Sequence, residues 1–438
     1  MSIIYALATP PAQSAICVFR VSGEGCLDAL SKLFNSELVE PRYFYKTEML
    51  NNGAFIDSVA VVFFKGPKSF TGEDSFEVYA HGGLAVMSKI VEVFDAIGFE
   101  EAQPGEFSKR AFLNNKISLS QAEAVSDLIS ASSKEEASRV SLVLGGDFES
   151  RVFDFSGQLD ALRVLVEGEI DFTDEDETFI QNLAGLGADV SRLSAEFCSF
   201  AGACSSRKDG FNKPRVLIAG PPNSGKSSLF NSLLSRDRSI VSSIAGTTRD
   251  LIDSELVLQN IVLTLGDSAG VRDTDDLIEG AGINISFDEI KKSDLVILVF
   301  DEETESSVSF FRELLGEQKH LLVYNKIDVS DKRPLGFDLF VSAKEMDGLN
   351  ELRKVLDERL SVDESEDLTY LVRERHINIF SEVSSRLDFV SSSIEANESL
   401  DVVAENLKAC RDLLAEVVGI KTSDELLGEI FSSFCIGK

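Results

Sequence analysis

One eight-residue run, Gly220-Pro221-Pro222-Asn223-Ser224-Gly225-Lys226-Ser227, fits the pattern G-x-x-x-x-G-K-[ST]. The apolar stretch Val216-Leu217-Ile218-Ala219 precedes it and a helix-like run, 228–234, follows. A strand, a glycine turn and a helix in that order commit the surrounding chain to an α/β layer. The glycines let successive backbone N–H groups face one anion, and the helix N-terminus adds partial positive charge. Lys226 is placed to reach the β- and γ-phosphates of a nucleotide, and the Ser227 hydroxyl to bind Mg²⁺.

Further polar runs recur downstream. Gly246-Thr247-Thr248-Arg249-Asp250 lies in a polar loop and offers a threonine hydroxyl to Mg²⁺. Asp267-Ser268-Ala269-Gly270 ends the apolar strand 261–265, where the carboxylate can stand behind the metal and the Gly270 N–H can face the γ-phosphate. Asn325-Lys326-Ile327-Asp328 ends the strand 321–324. Asp328 can accept from both N1–H and the 2-amino group of guanine. Adenine offers neither donor, so a carboxylate there would be left unpaired by ATP. Ser342-Ala343-Lys344 follows Leu339-Phe340-Val341 and can present a backbone N–H to guanine O6. A phosphate loop followed in order by these runs predicts a GTPase. The expected nucleotide contacts are Asn223, Ser224, Gly225, Lys226, Ser227, Ser228, Ser242, Ser243, Ile244, Ala245, Gly246, Thr247, Thr248, Asp267, Ser268, Ala269, Gly270, Asn325, Lys326, Asp328, Ser342, Ala343 and Lys344. Ser227 and Thr248 are the expected Mg²⁺ ligands.

Val271 follows the Asp267 run. Ras-like GTPases carry a Gln there to orient water, and Val cannot. Another group must position the nucleophile and neutralise transition-state charge.

At 438 residues the chain has room for two to four domains. Its net charge of −32 excludes a broad nucleic-acid-binding surface, so any RNA contact is local, Mg²⁺-assisted or shared with a partner. Cys17, Cys26, Cys198, Cys204, Cys410 and Cys435 form no C-x-x-C pair. With no basic N-terminal leader and no apolar run of spanning length, the expected compartment is the cytoplasm. The acidic cluster Asp171, Asp174, Glu175, Asp176, Glu177 reads as a solvated loop.

Four segments are expected. Residues 1–115 mix β-type runs (16–21, 59–64, 76–79) with a helical stretch, 85–97, and read as α+β. Residues 116–210 turn helical, with Val152, Phe155, Leu159, Leu162 and Val166 on one stripe, and end in a linker around Arg207-Lys208-Asp209-Gly210. Residues 211–361 hold the nucleotide domain. Residues 362–438 are helical again, with Phe380, Val383, Leu387, Val390 on one stripe and Val403, Leu407, Cys410, Leu414, Val417 on another. Each helical segment has an unpartnered apolar stripe. The economical arrangement is one bundle from both, with the P-loop domain inserted between them.

Longer runs carry a resemblance. They are Ala6-Leu7-Ala8-Thr9-Pro10-Pro11, Phe19-Arg20-Val21-Ser22-Gly23, Phe70-Thr71-Gly72-Glu73-Asp74 with Glu77, and His81-Gly82-Gly83. Pro104-Gly105-Glu106-Phe107-Ser108-Lys109-Arg110-Ala111-Phe112-Leu113-Asn114 follows, then Gln121-Ala122-Glu123-Ala124-Val125, Ile170-Asp171-Phe172 and the terminal Phe434-Cys435-Ile436-Gly437-Lys438. Nearly end to end the chain resembles the MnmE (TrmE) family of tRNA-modification GTPases. It departs at Pro221, where Arg is usual, Ser268 (Thr) and Asn115 (Gly), and Arg373-Glu374-Arg375-His376 keeps only the Arg-His of Asn-x-Arg-His.

The resemblance implies an N-terminal tetrahydrofolate-binding and dimerising domain, a discontinuous helical bundle and an inserted Ras-like G domain. It implies a homodimer that pairs with the FAD protein MnmG (GidA) to modify carbon 5 of the wobble uridine in tRNA. The one-carbon unit would come from a 5-formyl- or methylene-tetrahydrofolate. K⁺ and G-domain dimerisation would drive hydrolysis. By resemblance Glu279 orients the attacking water, and Asn223, Ser242, Ile244 and Thr247 hold K⁺. Arg20, Glu77, Lys116 and Lys438 contact the folate. Other readings stay open at single positions: Glu279 as a true base with a raised pKa or a plain loop charge, Asn223 as an ordinary loop residue, Arg20 and Glu77 as a structural ion pair, Lys116 as a helix-start lysine, and Cys435 as a nucleophile or a supporting residue. A ribosome-assembly GTPase is the alternative function, although such proteins are expected to carry a basic RNA-binding domain.

Overall fold

In a computed structural model of the chain the described residues are 2–36, 38–171, 185–207, 213–235, 253–267, 287–316, 318–330, 332–360, 369–396, 398–420 and 424–437. The chain divides into two compact units. One comprises Met1–Ser130, Ser138–Asp209 and Glu366–Lys438, and the other Ala131–Ala137 and Gly210–Ser365.

The first unit opens with a sheet built from β1 (Ile4–Leu7), β2 (Cys17–Ser22), β3 (Tyr45–Asn51), β4 (Ala54–Phe64), β5 (Ser75–Ala80) and β6 (Glu100–Glu101), in the order β3-β4-β5-β2-β1-β6. All pairings are antiparallel except β1 with β6. Alternate residues (Phe19, Val21, Val59, Val61, Phe76, Val78) point to one face and pack beneath α2 (Leu84–Ala96) through Ile90, Val93 and Phe94. The short α1 (Leu30–Leu33) adds to that core. The opposite face keeps Arg20, Glu77 and Tyr79.

After α3 (Glu106–Leu113) the chain becomes helical: α4 (Leu119–Ile129), α5 (Lys134–Leu144), α6 (Asp147–Asp171) and α7 (Leu186–Gly202). A capping box starts α4, with Ser118 and Gln121 each accepting from the other's backbone N–H. The three expected stripes share one core: Val152, Phe155 and Leu159 of α6 lie in the same cluster as Phe380, Val383 and Leu387 of α12 (Glu374–Glu395) and Leu407, Cys410 and Leu414 of α13 (Leu400–Val418). The helical bundle is therefore discontinuous in sequence. The last helix, α14 (Asp424–Ser432), packs Leu427 and Phe431 with Leu119 and Ala122 of α4.

One difference from the sequence reading concerns the linker. Residues Cys204–Arg207 form a strand, β7, paired in parallel with β14 (Tyr370–Arg373), so the chain leaves and re-enters the bundle through a two-stranded sheet. Local propensity could not reveal that pairing, because the partner lies more than 160 residues away.

The second unit holds a sheet of order β13-β12-β11-β8-β10-β9: β8 (Arg215–Ala219), β9 (Asp253–Val257), β10 (Val262–Asp267), β11 (Leu295–Phe300), β12 (His320–Tyr324) and β13 (Leu339–Phe340). All neighbours are parallel except β9 with β10. Parallel strands need cover on both faces. Val216 and Ile218 pack with α8 (Lys226–Ser235) and α11 (Leu349–Leu360), and Leu217 and Ala219 with α9 (Phe287–Lys292) and α10 (Val308–Leu315). This is a P-loop nucleotide-binding layer. Among the described residues no helix is long and apolar enough to cross a membrane.

Candidate functional site

β8 delivers the chain into the phosphate loop, and α8 begins at Lys226. Two glycines are required by space. A Cβ on Gly220 (φ 142°) would lie 2.3 Å from the Val299 carbonyl oxygen, and one on Gly225 (φ 95°) would lie 2.2 Å from Asn325 Nδ2. The loop thus nests against β11 and the end of β12. Lys226 Nζ donates to the Pro221 carbonyl at 2.8 Å and Ser224 Oγ to the same oxygen at 3.0 Å.

The end of β12 braces this loop. Asn325 is buried, and its Nδ2 donates to Ser224 O at 2.9 Å while its Oδ1 accepts from Ala343 N at 3.0 Å. Lys326 Nζ donates to Asn223 O at 2.7 Å and pairs with Asp301 Oδ2 at 2.5 Å. Ser342 Oγ donates to Asp328 Oδ1 at 2.6 Å, and that bond is the main cause of the lowered Asp328 pKa. Asp328 is therefore an ionised acceptor at neutral pH, as guanine readout needs. Ala343 is buried and Lys344 is exposed beside Glu345. Asp267 ends β10 opposite Ile218 of β8. Ser227 and Ser228 lie in the first turn of α8. Ser242, Ser243, Ile244, Ala245, Gly246, Thr247, Thr248, Ser268, Ala269, Gly270, Val271 and Glu279 lie outside the described residues.

Sequence reasoning missed Asp301. Burial would raise its pKa, but hydrogen bonds from Lys326 and Thr304 outweigh burial and the net shift is downward. The available signal was positional: Asp301 directly follows β11, as Asn325 follows β12.

A second polar site lies on the N-terminal sheet. Arg20 Nε and Glu77 Oε1 are 2.9 Å apart, and Tyr79 Oη donates to Glu77 Oε2 at 2.6 Å. Burial and the Glu77 bond push the Tyr79 hydroxyl up to about 12. Arg20 and Glu77 line a cavity of about 120 Å³ with Ser22, Thr71, Phe64 and Phe70. Thr71 lies on its wall, and the segment Thr71-Gly72-Glu73 is pinned from two sides. Ser22 Oγ donates to Glu73 Oε2 at 2.8 Å and Arg110 Nη1 does so at 3.1 Å, while Asn114 Nδ2 donates to Thr71 O at 2.7 Å. A Cβ on Gly72 (φ 80°) would meet Asn114 Cβ at 3.0 Å. The motifs around residues 70–74 and 104–114 thus meet in space.

Lys116 is exposed and does not line this cavity. Its stem runs past Gly72, and it borders a separate cavity of about 490 Å³ with Glu149 and Phe153. Lys438 lies outside the described residues, but Gly437 rests on Leu7 and Ala8. Cys435 is exposed and its carbonyl accepts from Gly105 N at 3.4 Å. His81 presents an exposed ring whose Nδ1 sits 2.8 Å from Asp57 Oδ1.

Comparison with known proteins decides the family. The family described as GTP-binding protein TrmE N-terminus matches residues 3–116, and the MnmE helical domain family matches residues 119–435. A relative from Legionella pneumophila (strain Corby), "tRNA modification GTPase MnmE", is 38% identical over 99% of both chains. The chain belongs to the MnmE family. A Francisella philomiragia protein of the same name is 34% identical, again over 99% of both. Among solved structures, the G domain of the T. maritima FeoB iron transporter is 28% identical, covers 34% of this chain and 99% of its own, and has a TM-score of 0.27.

Proposed function

We propose that this MnmE-family chain is a GTP hydrolase that acts in the modification of tRNA. The observation that carries the nucleotide assignment is the brace from Asn325 to Asp328, which joins a phosphate loop to an ionised carboxylate that Ser342 holds in place. Gly220 and Gly225 let the loop pack where a Cβ would strike Val299 O and Asn325 Nδ2, a curl that suits a backbone N–H cradle for a phosphate chain. Ser227 and Thr248 would hold Mg²⁺, which when bound neutralises charge on the β- and γ-phosphates. Glu279 orients the attacking water. Asn223, Ser242, Ile244 and Thr247 would hold K⁺, which supplies positive charge where other GTPases use an arginine finger. Asn223 sits at the exposed tip of the loop at φ 63°.

The N-terminal cavity fits a tetrahydrofolate in chemical type: a carboxylate and a guanidinium beside phenylalanine walls. Arg20 and Glu77 line this cavity and would hold it there. Lys116, which does not line it, and Lys438 are proposed as further contacts. When bound it would supply the one-carbon unit placed on carbon 5 of the wobble uridine. Glu77 would accept from the amide-like edge of the pterin, and the cations would pair with the glutamate tail. The protein acts as a homodimer with MnmG, in the cytoplasm.

Three measurements test this reading. GTP is bound and ATP is not. Hydrolysis is faster in K⁺ than in Na⁺, and equal rates remove the cation site. Nucleoside mass spectrometry of tRNA from a deletion strain finds the wobble-uridine modification missing; unchanged tRNA points to the ribosome-assembly alternative.

A further inference from the structure

Asp301 stands at the carboxyl end of β11, and its side chain is 4% exposed. A carboxylate so deeply placed must be paired. Its Oδ1 accepts from Thr304 N at 3.1 Å and Thr304 Oγ1 at 2.7 Å; its Oδ2 takes the Lys326 ammonium at 2.5 Å. The same ammonium donates to Asn223 O at 2.7 Å. Asn223 and Lys326 both hold left-handed backbone, at φ 63° and 64°. That conformation is uncommon for Lys and more readily taken by Asn, and the ammonium bridge joins the two left-handed peptides.

We propose that Asp301 is a positioning residue for guanine-nucleotide binding: through Lys326 it fixes the Asn223 carbonyl, and with it the tip of the phosphate loop, in the conformation that receives the nucleotide. This deepens the GTP-site reading and rests on it. The Lys326 side chain is 41% exposed, so without a buried anion to hold it the ammonium turns toward water and releases Asn223. Asn325 still holds Ser224, one residue on, so the loop loosens rather than collapses.

The test uses the full chain with a fluorescent GDP analogue and steady-state GTP hydrolysis. Asp301→Asn is expected to raise Kd and KM about tenfold with kcat within about twofold, because the lost restraint serves ground state and transition state alike. In the Lys326→Met background the same substitution adds nothing. Thr304→Val, which removes one bond to the carboxylate and leaves Lys326 paired, raises KM about threefold. A folded Asp301→Asn protein with KM within about twofold of the parent overturns the inference, whatever its melting temperature. If Asp301→Asn does not fold, Thr304→Val decides, and an unchanged KM overturns it. Failure of the parent chain to bind GDP at all refutes the nucleotide site itself.

Discussion

The side-chain amide of Asn325 donates to the carbonyl of Ser224 at 2.9 Å, making the end of β12 and the phosphate loop one mechanical unit. The other end of the amide accepts from Ala343 N, so three loops meet on one buried side chain. Asn325→Ala removes both bonds. At about 1 kcal/mol net for each, GDP affinity falls roughly 30-fold. Asn325→Asp keeps the acceptor for Ala343 but turns a carboxylate oxygen on the Ser224 carbonyl, and the loss is at least as large. Equilibrium titration with a fluorescent GDP analogue measures both.

Glu77 carries the prediction for the N-terminal cavity. Its oxygens are held by Arg20 and Tyr79, so it is presented in one orientation at the cavity wall. Glu77→Gln keeps the shape and removes the charge. Calorimetric titration of the full chain with 5-formyl-tetrahydrofolate is expected to give at least about tenfold weaker binding, the value of one charge-assisted hydrogen bond. GTP turnover should stay within about twofold, since the two sites lie in separate units. Full-affinity binding by Glu77→Gln refutes the assignment.

The contrast between these two sites explains what a sequence can disclose. The expected nucleotide residues follow the ends of strands in one mostly parallel sheet, where local pattern and topology coincide, so the sequence could group Asn325, Asp328 and Ser342, which the structure brings together. The N-terminal site depends on register. Arg20 meets Glu77 because β2 pairs with β5 across 57 positions, and Tyr79 joins because residues two apart share a face. β1, β3 and β6 gave no recognisable pattern; β6 has only two residues. The apolar stripes of α6, α12 and α13 announced one bundle, yet the charged pairs between its segments carry no periodic signal.

Gly105 makes a spatial prediction about the C-terminal segment. Its backbone is left-handed (φ 68°), and a Cβ there would lie 2.5 Å from Phe431 O and 3.1 Å from Phe434 Cβ. Gly105→Ala should push α14 and the residues after it off α3. Left-handed strain alone costs about 1–2 kcal/mol, and the clash adds to it. Limited proteolysis is expected to cut near residues 421–437 sooner than in the parent, with GDP affinity unchanged.

Glu123 and Asp127, both on α4, bind the start of α12. Arg375 grips Glu123 with Nε at 2.9 Å and Nη2 at 2.8 Å, and Arg373 grips Asp127 at 3.1 and 2.6 Å. Both carboxylates are buried. Glu123→Ala leaves the Arg375 guanidinium without its anion, and breaking a buried pair from one side costs about 3–5 kcal/mol. Urea unfolding followed by far-UV circular dichroism should register that loss, and Glu123→Gln should lose less.

His376, on the same turn, predicts the response to acid. It is 2% exposed beside Phe148, and among the described residues neither ring nitrogen has a hydrogen-bond partner. Its Nε2 lies 3.4 Å from Glu123 Oε2, but Arg375 already holds both Glu123 oxygens. Burial, with the charges of Arg375 and Arg373, drives its pKa well below 6.5. Above pH 6.5 the ring is neutral in folded and unfolded chains alike, and it places no proton-linked load on stability. Below that value the unfolded chain takes up a proton that the folded chain refuses, so stability falls by about 1.4 kcal/mol per pH unit until the folded pKa is reached. His376→Phe removes the titrating group and the two unpartnered nitrogens. The difference in urea midpoint between pH 7.5 and 5.5 should shrink accordingly in His376→Phe, and an undiminished difference would place the acid sensitivity elsewhere.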